Sequence, residues 1–158
     1  MASSRPVMLG LLLAALATGC GESSEPRAAG PTELARAERS LRAELEAAAE
    51  SLGSGVQVAP GERVAPSPCD DPRRREVTGG YRIRLALGPS AQPAELLEQA
   101  EKFWRDRGRE VRVRGRHGRF PAVFATADPG WTFALQVFPE RDEALLSGGT
   151  PCLPEPPA

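Results

Sequence analysis

Two stretches of the chain repeat their apolar residues with the period of an α-helix. Residues 32–53 begin at Thr32, a suitable N-cap, and end at Gly53, a natural helix stop. Residues 93–108 carry a second apolar stripe that also ends at a glycine. We therefore predict two amphipathic helices, whose apolar faces consist of Leu34, Leu41, Leu45, Ala48 and Leu52, and of Leu96, Leu97, Ala100, Phe103 and Trp104.

Alternation of apolar and polar residues predicts four strands, within residues 81–88, 109–115, 119–127 and 130–138. The proline-rich residues 60–72 are predicted to interrupt the fold. The element order helix, strand, helix and three strands indicates an α+β fold. We predict a single domain over residues 32–153, with a mostly antiparallel sheet, helices packed on one face and an irregular tail at 154–158.

The start of the chain is typical of an export signal. An apolar run from Val7 to Ala17 follows the positive charge of Arg5. This run is about half of the ~20 residues that a membrane-spanning helix needs. The order of charge, apolar run and small residues predicts a signal peptide over residues 1–19.

The residues before the first cysteine resemble the lipobox of bacterial lipoproteins, with Leu16-Ala17-Thr18-Gly19 preceding Cys20. The resemblance implies that the Cys20 thiol is joined to a diacylglycerol and becomes the first residue after cleavage. It also implies a chain anchored in the cell membrane on the extracytoplasmic side. Ordinary cleavage near Ala17, which leaves Cys20 as a thiol, is the alternative.

The composition of residues 20–31 predicts a flexible tether, with a root-mean-square length of roughly 15–20 Å.

The chain has three cysteines, and an odd number in an exported protein requires an explanation. Lipidation of Cys20 leaves Cys69 and Cys152, which we predict to form a disulfide. Two free thiols or a metal pair are the alternatives. A metal site is disfavoured because the two cysteines and His117, the single histidine, do not complete the four ligands of a structural zinc site.

The lipobox, the cysteines that bracket the predicted sheet and the pair Gly130-Trp131 together resemble small cysteine-paired lipoproteins of high-GC actinobacteria. Many members of that broad group have no assigned activity. The resemblance therefore implies a location and an architecture, but no reaction.

Positive charge is concentrated in the middle of the chain. Residues 70–119 contain 13 basic and 8 acidic residues, a net charge of +5, although the whole chain has a net charge of −1. Because alternate residues of a strand share a face, Arg82, Arg84, Arg112 and Arg114 form one candidate binding face if their strands belong to one sheet. The alternative is that these arginines reflect an arginine-rich composition and only keep the sheet surface solvated.

Candidate catalytic groups are few. His117 has no neighbouring serine or cysteine in sequence, and the pair Asp70-Asp71 lacks the ligand spacing of a calcium loop. We therefore predict no catalytic residue, no metal and no cofactor. The predicted function is a monomeric, membrane-anchored binding module for an anionic envelope component or a protein, without nucleic acid as a partner. A small ligand carrier or hydrolase with an unrecognised site is the alternative.

Overall fold

The computed structural model describes residues 32–71, 73–116 and 118–156. The predicted signal peptide, Cys20, the tether and His117 lie outside the described residues. In the described part of the chain, no helix is both long and apolar enough to cross a membrane. The elements, in chain order, are α1 (Glu33–Ser51), β1 (Val56–Val58), β2 (Glu62–Pro68), β3 (Glu76–Leu87), α2 (Pro93–Asp106), β4 (Glu110–Arg114), β5 (Ala122–Ala127), β6 (Trp131–Phe138), a 3₁₀ turn (Pro139–Arg141), β7 (Glu143–Gly149) and β8 (Leu153–Pro154).

Both predicted helices are present and bury their predicted stripes. In α1, the Thr32 hydroxyl accepts a hydrogen bond of 3.2 Å from the Ala35 amide, which satisfies one of the free N–H groups of the first turn. In α2, Pro93 stands in the first turn, where a missing N–H has no cost. Trp104 and Leu97 of α2 and Leu41 of α1 are fully buried against the sheet.

The strands form one antiparallel sheet in the order β1-β3-β7-β6-β5-β4, with β2 and β8 also paired to β3. The chain passes from β3 through α2 to β4 at the far edge. It then returns strand by strand until β7 pairs with β3. Buried residues of the sheet and of both helices make one hydrophobic cluster. The predicted α+β fold, with its antiparallel sheet and with helices on one face, is therefore confirmed.

The structure adds strands that the pattern did not predict. The residues of β2 are all exposed and include Pro66 and Pro68, so β2 shows no alternation. A strand at an edge of the sheet tolerates proline, because only one of its sides requires N–H donors. β7 was missed because it ends in Ser147-Gly148-Gly149, a sequence typical of turns, and β8 spans the boundary at residues 153 and 154 between the predicted domain and its irregular tail.

Cys69 and Cys152 are joined by a disulfide, as predicted. Cys69 follows β2 and Cys152 precedes β8, and their Cα atoms lie 6.2 Å apart, within the usual range. The bond connects two segments that are 83 residues apart in the chain. It therefore holds both β2 and β8 at the β3 side of the sheet.

Candidate functional site

The sheet has one face that neither helix covers, called here the open face. Its residues alternate with the buried positions of β3 to β7, and they include all four arginines of the predicted binding face. Arg82 and Arg84 are exposed on β3, next to Ile83 and Leu85, which are buried. Arg112 and Arg114 are likewise exposed on β4. The structure thus places the four arginines on the same side of one sheet.

The strand register shows that these arginines form two separate pairs. Arg82, Ser147, Ala134, Phe124 and Arg112 lie opposite one another on five adjacent strands. The next row of the sheet contains Arg84, Leu145, Gln136, Ala122 and Arg114. Four strand spacings correspond to about 19 Å. The sheet therefore does not bring the four arginines together in one cluster but places a pair on each side of a neutral centre.

Two of the four arginines are already paired with carboxylates. Arg82 contacts Glu62 of β2 at 2.7 Å, and Arg112 contacts Glu110 at 2.7 Å. Among the described residues, Arg84 and Arg114 have no carboxylate oxygen within 4.0 Å. Arg84 and Arg114 are therefore the members of the predicted set whose charge is available to a partner.

A further arginine, which the sequence pattern did not indicate, joins Arg84. Arg141 ends the 3₁₀ turn before β7, and with Arg84 it lines a hollow of about 230 Å³ over Leu145 and Phe138. We call this hollow the arginine depression. The guanidinium carbon of Arg141 lies 5.8 Å from the centre of the Phe138 ring. Arg141 was missed because its place in the same hollow as Arg84 depends on the pairing of β7 with β3.

Two large aromatic side chains are exposed at the open face, one on β5 and one just before it. Phe124 of β5 is 41% exposed and Phe120 is 49% exposed, although most large apolar side chains of this domain are buried. The Phe120 ring packs edge-on against Phe138, with ring centres 6.0 Å apart. Alternation with the buried Val123 and Ala125 was a signal in the sequence that Phe124 faces outwards.

A second hollow of about 440 Å³, called here the groove, lies on the same face beside the arginine depression. Val64 of β2 and Phe124 of β5 line its sides, and its floor is made of small side chains. These floor residues include Thr78, Gly80, Thr132, Ala134, Ser147 and Gly149. Ser147 of the groove and Leu145 of the depression are successive open-face positions of β7, so the two hollows are adjacent.

Contacts with α1 hold β2, and with it Val64, in place. The Arg63 guanidinium donates two hydrogen bonds of 2.9 Å through Nε to the two carboxylate oxygens of Glu38, whose side chain is 15% exposed. The hydrogen bond and the charge of Glu38 raise the pKa of Arg63. Because neighbouring residues of a strand point to opposite faces, this anchorage of Arg63 directs Val64 towards the groove.

The other candidates from the sequence have structural roles or lie elsewhere. The Asp71 carboxylate accepts a hydrogen bond of 3.0 Å from the Arg73 amide within a local turn. Among residues 32–71, 73–116 and 118–156, no group of three or more metal-ligating side chains is arranged to hold an ion.

Comparisons of the chain with protein-family models, with curated proteins and with solved structures found no match.

Proposed function

We propose that this protein is a membrane-anchored extracytoplasmic bacterial lipoprotein that acts as a non-catalytic binding module at the cell envelope. The lipobox-like residues before Cys20 support the anchor. The Cys69–Cys152 disulfide supports an extracytoplasmic location, because disulfides persist in oxidising compartments. The open face is the proposed binding surface.

One observation carries this proposal: the open face combines exposed aromatic rings with arginines that have no ion pair among the described residues. Phe120 and Phe124 are exposed there, and Arg84 and Arg114 are available for a partner. Aromatic residues and arginine are enriched at binding interfaces, whereas an isolated exposed Phe needs no explanation. Two exposed rings on the same face as four arginines favour a binding surface over a merely solvated one.

Charge complementarity favours an anionic partner. Two copies of the chain that met through their open faces would bring like charges together, which destabilises an interface. We therefore propose a monomer whose partner is an anionic component of the envelope. An exported protein is separated from the nucleic acids of the cell interior, so we do not propose nucleic acid as a partner.

A ligand carrier is the second candidate, and the groove is the observation that favours it. Its volume of about 440 Å³ lies within the ~300–1,000 Å³ typical of small-molecule sites. No particular contact among the described residues favours a hydrolase.

The proposed binding surface is tested by sedimentation of the chain from residue 21 onward with anionic vesicles, neutral vesicles and isolated cell wall. We expect binding to one of the anionic materials that weakens as salt increases, because exposed charges are screened beyond ~8 Å at physiological ionic strength. The charge-reversal variant with Arg82, Arg84, Arg112 and Arg114 all changed to Glu should lose this binding and remain folded. Equal binding by parent and variant would refute the proposal.

A further inference from the structure

We infer that the open face binds an anionic amphiphile, with its charged head in the arginine depression and its apolar chain in the groove. The class comprises molecules that carry one carboxylate or phosphate group on an alkyl chain. This inference deepens the proposed function. It rests on one part of that proposal, namely that the open face is the binding surface. It does not depend on the anchor at Cys20.

The arginine depression suits the charged head. Arg84 and Arg141 line it, and neither forms an ion pair within the described part of the chain. Arg82 also lines it but pairs with Glu62, and Glu143 is the one carboxylate among its lining residues. A guanidinium group presents a planar set of donors that matches a carboxylate or a phosphate in two-point contact. Two such groups that line one hollow therefore favour an anion.

The groove suits the apolar chain. It continues from the depression along β7, from Leu145 past Ser147 to Gly149, over about 13 Å. A saturated chain of about ten carbons has this length when extended. The small floor residues leave room for the chain, and Val64 and Phe124 offer apolar sides to it.

A peptide fits this surface less well than an alkyl chain. The backbone groups of the floor strands β6 and β7 are engaged in sheet hydrogen bonds on both sides. A peptide in the groove would therefore find only a few hydroxyl groups for its own N–H and C=O groups, which cost free energy when they are buried without partners. An alkyl chain has no such groups to satisfy.

The test is photo-crosslinking of the chain as isolated from the producing cell and held in zwitterionic nanodiscs. The probe is lauric acid that carries a diazirine in its alkyl chain, and labelled peptides are mapped by mass spectrometry. We expect label in the peptides that contain Val64 and Phe124. Unlabelled lauric acid and dodecyl phosphate should both compete, and their relative strength distinguishes carboxylate from phosphate heads. Dodecyl maltoside, which has a neutral head, should compete weakly.

Three variants separate the head site from the chain site. Arg84→Glu with Arg141→Glu should lower labelling by about tenfold or more, because two attractive charges become repulsive. Ser147→Trp should abolish labelling through bulk alone, without a change in charge. Arg36→Glu places one such charge reversal on an exposed position of α1, away from the open face, and should label like the parent. Thermal unfolding of each variant verifies that it is folded.

Equal labelling of the parent, the double charge reversal and Ser147→Trp would overturn the inference. Equal competition by dodecyl maltoside and dodecyl phosphate would also overturn it, because the head would then not be recognised. Competition by an acidic peptide but not by either anionic amphiphile would assign the face to a peptide instead. If the probe does not label the protein, but the protein still binds the envelope through its arginines, the inferred amphiphile ligand is overturned and the proposed function stands.

Discussion

Gly148 of β7 lies directly beneath Leu41 of α1. A Cβ atom at Gly148 would come within 2.7 Å of Leu41 Cδ1 and within 2.8 Å of the Thr132 carbonyl oxygen. The second contact is with the backbone of the neighbouring strand, which has little freedom to move. The absence of a side chain at Gly148 is therefore what lets α1 lie close to the sheet.

We accordingly expect Gly148→Ala to lower the free energy of unfolding by about 1–3 kcal/mol, the usual cost of overpacking a core. Urea denaturation followed by tryptophan fluorescence measures this change. Gly55→Ala is the matched control, since its added Cβ would make only ordinary contacts of 3.5 Å or more. A Gly148→Ala protein as stable as the control would show that α1 does not pack against β7 in this way.

The disulfide should contribute strongly to stability. Its two cysteines are 83 residues apart, and closing a loop of this length stabilises a fold by about 4 to 5 kcal/mol on the chain-entropy model. We expect the double variant with Cys69→Ser and Cys152→Ser to lose an amount of this order in denaturant unfolding. The parent chain from residue 21 onward should show no free thiol after denaturation, and two reactive thiols per chain would contradict the pairing.

The contact between Arg63 and Glu38 should control the position of β2 more than the stability of the whole domain. Its charges are partly exposed, so Arg63→Ala should change the free energy of unfolding by less than about 1 kcal/mol. The amides of β2 should nevertheless exchange faster with deuterium. Arg42→Ala, which removes an exposed pair with Glu46 within α1, should leave β2 exchange unchanged. Equal β2 exchange in both variants would contradict the role given to Arg63.

Phe124 should matter for binding and hardly at all for stability. It is 41% exposed, and substitutions at exposed positions usually change stability by less than about 0.5 kcal/mol. We expect Phe124→Ser to weaken binding to the anionic material that the parent sediments with. Val58→Ser, at a residue that is 50% exposed on β1, should bind like the parent. Parallel loss of binding in both variants would indicate a nonspecific effect.

The anchor is tested in the native host. We expect the parent to incorporate labelled lipid and to sediment with the membrane, because two acyl chains suffice for stable membrane retention. Cys20→Ser should incorporate no lipid and should leave the membrane fraction. The lipoprotein assignment is refuted if the parent incorporates no labelled lipid and the Cys20→Ser variant remains as membrane-bound as the parent.

The sequence by itself determined the features that depend on local periodicity. Helical spacing of leucines indicated α1 and α2, and alternation in residues such as Arg82 to Leu85 indicated the central strands and their exposed sides. The cysteine count, taken together with the lipobox-like residues before Cys20, predicted the pairing of Cys69 with Cys152. These features were predictable because each side chain's preference for water or the core repeats with the geometry of its own segment.

Only the tertiary structure decided which strands are neighbours and what they bring together. β2 has no buried side, and β7 carries Gly148 where α1 packs on its backbone, so neither strand shows an alternating pattern. The pairing of β7 with β3 brings Arg141 and Arg84 to the lining of one hollow, and the three strands between β3 and β4 keep the predicted arginine pairs apart. Strand order arises from contacts between residues far apart in the chain, and local periodicity contains no information about those contacts.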